Sequence, residues 1–127
     1  MSKILVVDDA EDARFLLTRL LHLGGFATDM AEDGLDALAR IEASPPDLIL
    51  LDVMMPRMNG IQMLGVLRQN PRWRHLPVML YTAVSDSRWI DEAKRLGVQD
   101  VIVKGSVDGE SLLERIARGL GGSKAVH

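Results

Sequence analysis

Four short apolar runs in the chain each end on a polar side chain that could take part in chemistry. The residues that follow these runs are Asp8 and Asp9, Asp52, Thr82, and Lys104. Runs of about four residues rich in Val, Ile and Leu are typical of strands buried on both faces of a parallel sheet. In such sheets the ligand site lies beyond the carboxyl ends of the strands. The three carboxylates, the hydroxyl and the ammonium are therefore expected to meet at one edge.

Three carboxylates at one place favour a divalent cation. Asp8 and Asp9 are adjacent, and two crowded carboxylates either raise a pKa or bind a cation. Mg²⁺ prefers oxygen ligands, and Asp52 from a neighbouring strand would complete the site. A bound metal would keep Asp52 ionised and attract phosphate oxygens. An ionised carboxylate can attack phosphorus and form an acyl phosphate.

Phosphoryl transfer also requires favourable contacts for the peripheral oxygens of the transferred group. Lys104 could pair with one oxygen, and Thr82 could donate a hydrogen bond to another. Taken singly, each residue has a simpler interpretation. Asp8 or Asp9 could cap the following helix, Thr82 could be a turn residue, and Lys104 could be a solvated surface residue. Their joint occurrence at four strand ends favours a phosphoryl-transfer site.

The elements that would position these residues alternate regularly between strand and helix. A helix is predicted from about Asp12 to Leu23, with Leu16, Leu20 and Leu23 on its apolar face and Ala13 and Leu17 beside them. The next helix begins near residue 33, with Leu35 among its core-facing residues. Five strand–helix units with short connections predict an α/β fold, a doubly wound five-stranded parallel sheet with five helices.

Length and composition limit the class of protein. The 127 residues favour one domain, expected over residues 1–120, with residues 121–127 as a flexible tail or a truncated linker. The chain has no cysteine and a net charge of −3, so disulfides and thiolate metal sites are excluded. No apolar stretch approaches the length of a membrane span. We expect a cytoplasmic domain without membrane insertion or direct nucleic-acid binding; the basic run at residues 72–75 is weak evidence for such binding.

The same residues carry a resemblance to a known family. The motifs are Val6-Val7-Asp8-Asp9, the run from Asp47 to Pro56 followed by Met58-Asn59-Gly60, Thr82-Ala83, and Val103-Lys104. With these motifs the chain resembles the response-regulator receiver domains of two-component signalling, including chemotaxis receivers, from about residue 3 to residue 120. The resemblance implies a flavodoxin-like sheet with strand order 2-1-3-4-5.

The resemblance also implies a role for each site residue. Asp52 would be the phosphorylation site, Thr82 the switch hydroxyl and Lys104 the phosphate-pairing lysine. The implied magnesium ligands are Asp9, Asp52 and the backbone carbonyl of Met54, with Asp8 acting largely through water.

The resemblance further implies the partners of the chain. The phosphoryl donor would be a phosphohistidine on a sensor histidine kinase or a phosphotransfer protein. Phosphorylation would reshape the surface of the fourth helix, fifth strand and fifth helix, which would then contact a downstream protein of unknown identity. The chain would not be an enzyme toward other substrates; it would catalyse only its own phosphorylation and dephosphorylation.

Two positions depart from the family pattern. Val101 stands where the family usually has an aromatic residue, and Gly105 stands where it usually has a proline joined by a cis bond to the lysine. Without proline, a trans bond after Lys104 is expected. The apolar side chains of Met54 and Val84 could flank the approach of the attacking water. The departures at Val101 and Gly105 leave open a second interpretation, a binding module that keeps the fold but works without phosphorylation.

Two further interpretations, a phosphatase and a flavin-binding protein, are also open but less favoured. A phosphatase resembling haloacid dehalogenases needs a second Asp two residues after its nucleophile, and Met54 stands there. A flavin-binding relative needs a phosphate-cradling loop after the first strand. The acidic residues at 8, 9, 11 and 12 would repel a phosphate at that loop unless a metal intervened.

Overall fold

Strands and helices alternate along the whole of the computed structural model, which describes residues 1–83 and 85–125, with side chains up to residue 121. The strands are β1 (Lys3–Val7), β2 (Ala27–Ala31), β3 (Leu48–Leu51), β4 (Val78–Thr82) and β5 (Asp100–Val103). The helices are α1 (Glu11–Leu23), α2 (Gly34–Ala43), α3 (Gly60–Gln69), α4 (Ser87–Arg95) and α5 (Gly109–Ala125). Val84, one of the two residues expected to flank the attacking water, lies outside the described residues.

The strands form a parallel sheet in the order β2-β1-β3-β4-β5, which confirms the predicted fold. The register places the strand ends side by side. Val7 pairs with Leu51 and Thr82 pairs with Val103, so the residues that follow these pairs leave the sheet at the same edge. Two backbone hydrogen bonds extend the pairing by one step, because Asp52 N donates to Val7 O (2.9 Å) and Lys104 N donates to Thr82 O (2.8 Å).

Apolar side chains cover both faces of the sheet. One core lies under α2, α3 and α4 and contains Leu51, Leu64 and Ala93, and the other lies under α1 and α5 and contains Leu21 and Ile116. The four residues of β3 are all buried, as the continuous apolar run predicts. Burial on both faces fixes the register of the central strands, and this register aligns the strand ends that carry the polar residues.

The predicted core faces of α1 and α2 are partly wrong. Leu16, Leu23 and Leu35 are 68%, 85% and 52% exposed. In α1 the buried residues are Leu17, which was expected beside the apolar face, and Thr18 and Leu21, which were not expected there. Leucines at 16, 17, 20, 21 and 23 form two overlapping stripes of helical period, and packing against the sheet selects the stripe that contains Leu17 and Leu21.

The last helix continues beyond the domain boundary expected at residue 120. Its backbone remains helical to Ala125. The role of residues 121–127 as a flexible tail or linker stays a prediction, and residues 126 and 127 lie outside the described residues. Within the described residues, no helix is both long enough and apolar enough to cross a membrane.

Candidate functional site

Three carboxylates converge at the carboxyl ends of β1 and β3. One oxygen from each of Asp8, Asp9 and Asp52 lies within 4.8 Å of the others. Asp8 and Asp52 are 3% and 7% exposed, whereas Asp9 faces solvent. Because carboxylates are seldom buried without a compensating charge, this arrangement requires a cation close to Asp8 and Asp52.

The side chain of Lys104 supplies such a cation. Its Nζ donates to Asp8 Oδ2 at 2.5 Å and to Asp52 Oδ2 at 3.4 Å. Burial lowers the pKa of Lys104, but the hydrogen bond to Asp8 and the charges of Asp52 and Asp8 outweigh burial and raise this pKa above its ordinary value. Lys104 is therefore protonated at neutral pH and bridges the two buried carboxylates.

Asp52 has an environment that disfavours its charge. Burial raises its pKa above the ordinary value, and the negative charge of Asp8 acts in the same direction. A side-chain hydrogen bond with Thr82 and the charge of Lys104 lower the pKa without cancelling the effect of burial. Thr82 is 1% exposed, so the hydroxyl, the ammonium and the carboxylate lie together in a partly buried site.

Both oxygens of Asp8 have partners within the protein. Oδ1 accepts a hydrogen bond from the backbone N–H of Ala10 at 2.9 Å, and Oδ2 accepts from Lys104. The N-cap residue of α1 is Ala10, and none of the described side chains caps this helix. The simpler interpretation of Asp8 or Asp9 as the cap of α1 is therefore wrong.

The loop after Asp52 is held close to this residue by a glycine. A Cβ atom on Gly60 would lie 2.2 Å from the carbonyl oxygen of Asp52, a distance that real contacts do not reach. Gly60 N also donates to Val53 O at 2.8 Å. Asn59 begins α3 with a capping box in which Gln62 N donates to its side chain. The loop thus returns tightly to Asp52 while Met54 is exposed.

A second contact that holds this loop was not predicted from the sequence. Arg57 has a positive φ of 66°, and its guanidinium pairs with the buried carboxylate of Asp33. Asp33 is also the N-cap of α2, accepting from Asp36 N at 2.8 Å. The Asp before the predicted second helix was a usable capping signal, but no local pattern indicates an ion pair with a residue 24 positions away.

The turn after Lys104 is formed without proline. The described residues contain no cis peptide bond, so the bond after Lys104 is trans, as expected. Gly105 has a φ of +83°, a region that residues with a Cβ atom rarely adopt. Ser106 N donates to Val103 O at 3.0 Å and closes the turn. The glycine therefore allows the chain to turn while Lys104 points to the carboxylates.

The carboxylate cluster fits a hard divalent cation. Three carboxylate oxygens within 4.8 Å of one another can surround an ion with the oxygen ligands that Mg²⁺ takes. Both oxygens of Asp8 are hydrogen-bonded within the protein, whereas the exposed carboxylate of Asp9 is better placed for direct coordination. Exposure of Asp9 would also allow water to complete the coordination sphere.

Comparison with known protein families decides the identity of the domain. The family model described as "Response regulator receiver domain" matches residues 4–117, most of the chain. The chain belongs to the response-regulator receiver family. As a receiver domain it is a module of two-component signalling.

Individual relatives agree with this assignment. The receiver domain is 38% identical over 114 residues to the Regulator of RpoS from Escherichia coli, covering 90% of this chain and 33% of that protein. It is 34% identical over 125 residues to Protein PilH from Pseudomonas aeruginosa, covering 96% of this chain and all of that protein. The chain thus spans about a third of the first of these relatives and the full length of the second.

Solved structures share the same fold. The chemotaxis protein CheY4 of Vibrio cholerae aligns with a TM-score of 0.85 and 30% identity, over 93% of this chain and 98% of that structure. A CheY-like receiver domain protein from Methanospirillum hungatei aligns with a TM-score of 0.90 over 100% and 99% of the two chains. Its identity of 23% supports the fold alone.

Proposed function

We propose that this receiver domain accepts a phosphoryl group on Asp52. The donor would be a phosphohistidine on a sensor histidine kinase or a phosphotransfer protein. One carboxylate oxygen of Asp52 would attack phosphorus, and the P–N bond to the histidine would break with its electron pair going to nitrogen. The imidazole, already protonated on its other ring nitrogen, would leave as the neutral base. The product would be an acyl phosphate on Asp52.

The residues around Asp52 have complementary roles in this proposal. Lys104 would move its ammonium from the carboxylate of Asp52 to a phosphoryl oxygen, because its Nζ already lies 3.4 Å from Asp52 Oδ2. Thr82 would donate a hydrogen bond from its hydroxyl to another phosphoryl oxygen. Positioning and charge stabilisation of this kind supply most of the catalysis in phosphoryl transfer.

The carboxylate cluster would hold Mg²⁺ through Asp9, Asp52 and the backbone carbonyl of Met54, with Asp8 acting largely through water. When bound, the ion supplies positive charge that offsets the charge of the phosphoryl oxygens. Asp8 would keep Lys104 in place through the shorter of the two ion pairs.

Phosphorylation would act as a switch for a downstream protein. Thr82 ends β4, which pairs with β5, so movement of its hydroxyl toward the phosphoryl group would be transmitted to β5 and α4. Val101 in β5 lacks the aromatic ring that the family usually has there, so the output change would involve the backbone and α4 rather than a ring flip. The chain would act on no substrate other than its own Asp52.

One observation carries this proposal: the ammonium of Lys104 reaches both Asp8 and Asp52. A module that works without phosphorylation would not need this bridge; the departures at Val101 and Gly105 were the reasons to consider such a module. The turn at Gly105 keeps the bridge, which favours phosphorylation.

Intact-mass measurement after incubation with Mg²⁺ and acetyl phosphate tests the proposal. The expected result is one added phosphoryl group that disappears when metal is omitted and in Asp52→Asn. The matched control is Asp91→Asn, which removes an exposed carboxylate from α4 and should leave the adduct unchanged. A folded protein that gains no adduct, and whose melting temperature does not respond to beryllofluoride, would exclude the phosphoacceptor role.

A further inference from the structure

A concavity lined by cationic side chains lies at the end of the sheet opposite the carboxylates. It is open to solvent, has a volume of about 460 Å³, and lies between the α3–β4 and α4–β5 connections, at the amino ends of β4 and β5. The basic residues that line it are Arg68, Arg74, His75 and Arg95. This concentration of positive charge stands in a chain of net charge −3, and the phosphoacceptor role does not account for it.

The Arg68 side chain connects the two loops that line this concavity. Its Nε donates to Leu96 O at 2.7 Å, its Nη1 donates to two further carbonyls at 3.1 and 2.9 Å, and its Nη2 donates to Gly97 O at 3.3 Å. A guanidinium has five N–H groups, so one on Nη2 is left. The carbonyl dipoles solvate the charge but do not cancel it. Among the described side chains, no carboxylate forms an ion pair with Arg68.

Arg74 and Arg95 approach the concavity from its two walls. Both side chains are exposed, and Arg74 has no ion pair with any carboxylate that the structure describes. Arg95 pairs with Glu92 one turn earlier on α4. Exposed pairs of this kind are weak, so Arg95 can exchange its partner for a ligand. Two lining arginines, Arg74 and Arg95, are therefore free of a strong carboxylate partner within the described residues.

We propose that this concavity binds a small anion that carries phosphate groups. Guanidinium groups match phosphate oxygens with paired, charge-assisted hydrogen bonds, and Arg74 and Arg95 would contact the phosphates from opposite sides. The volume is within the range of small-molecule sites. Leu96 and Pro77 also line the concavity, and the uncharged part of such a ligand would contact them. The site is separate from Asp52 and needs no metal.

Titration of the ¹⁵N-labelled full chain with inorganic pyrophosphate tests this site. The buffer contains no divalent metal and has constant ionic strength, so that the carboxylate site does not contribute. The expected result is saturating shifts of the backbone amides of His75, Gly97 and Gln99. The double variant Arg74→Gln/Arg95→Gln should weaken binding about tenfold or more, since it removes two charge-assisted contacts. Arg68 is left unchanged because its carbonyl contacts support the fold.

The matched control is the double variant Arg19→Gln/Arg118→Gln. It removes the same charge from exposed positions on α1 and α5 and should leave pyrophosphate affinity within about twofold of the unmodified chain. An equal loss in this control would show a general charge effect and overturn the proposal. Shifts confined to amides near Asp52 and Lys104 would also overturn it. Tighter binding of an oligoglutamate peptide than of pyrophosphate would replace the small anion by an acidic protein partner.

Discussion

Removal of the ammonium at position 104 tests the electrostatic reasoning about the site. Lys104→Met keeps much of the side-chain volume but leaves Asp8 and Asp52 facing each other without a cation. Their side chains are 4% and 9% exposed, and that of Lys104 is 24% exposed. Removing one partner of a buried ion pair costs about 3–5 kcal/mol, and the partial exposure of Lys104 favours the lower end, about 3 kcal/mol.

This free energy converts into a measurable change in melting temperature. Unfolding entropies of about 2.1 cal/mol/K per residue give about 0.27 kcal/mol/K for a chain of this length. A loss of about 3 kcal/mol therefore lowers Tm by about 11 °C. Thermal melts followed by circular dichroism in metal-free buffer at pH 7 measure this change. The control is Lys94→Met, which removes an exposed cation from α4.

Magnesium and pH provide two further readouts for Lys104→Met. Because the ammonium competes with a metal for Asp8 and Asp52, Mg²⁺ should raise Tm more in the variant than in the unmodified chain. As pH falls, Asp52 becomes neutral earlier than an ordinary aspartate because burial raises its pKa, so the difference in stability should shrink. A variant that melts within about 2 °C of Lys94→Met at pH 7 without metal would refute the reasoning.

Three smaller changes test other parts of the site. Asp52→Asn should stabilise the metal-free protein in urea melts at pH 7. Burial raises the folded-state pKa of Asp52, so ionisation of this carboxyl costs stability as pH rises above about 3.8. The stability gained by the Asn variant should therefore vanish below that pH. Gly60→Ala should lower the free energy of unfolding by about 3 kcal/mol or more in urea melts, because its Cβ would meet the Asp52 carbonyl. Gly65→Ala has open space around its Cβ and should raise the free energy of unfolding by up to about 1 kcal/mol. Equal effects of the two variants would contradict this prediction. Gly105→Ala should lower stability by about 1 kcal/mol because of its positive φ, and unchanged urea melts would exclude strain at this turn.

The strand ends could be predicted from the sequence because two simple rules coincide there. Continuous apolar runs identify buried parallel strands, and parallel strands present their carboxyl ends at one edge. Asp8, Asp52 and Lys104 are each the first polar residue after such a run. The structure brings these three side chains together. Their chemical roles remain proposals, since proximity does not by itself demonstrate phosphorylation.

Helix faces and loop contacts were harder to predict for a physical reason. In α1 the leucines permit two apolar stripes about 100° apart, and a periodicity rule cannot select between them. The choice depends on the sheet surface, which buries Leu17 and Leu21 and leaves Leu16 exposed. The ion pair between Arg57 and Asp33 joins two loops that are distant in sequence. Such contacts depend on the completed fold, and local patterns carry no information about them.

The direction of Lys104 shows how a fold can keep a site after losing a family feature. Pairing of β4 with β5 continues through the hydrogen bond from Lys104 N to Thr82 O, so the backbone at Lys104 is set by the sheet. The turn after it needs a residue that tolerates positive φ, and Gly105 provides this. The sheet thus fixes the backbone position from which the Lys104 side chain extends, and Gly105 allows the backbone to turn immediately after it. A proline at 105 could not adopt this φ, so restoring the family residue alone would disturb the turn rather than improve the site.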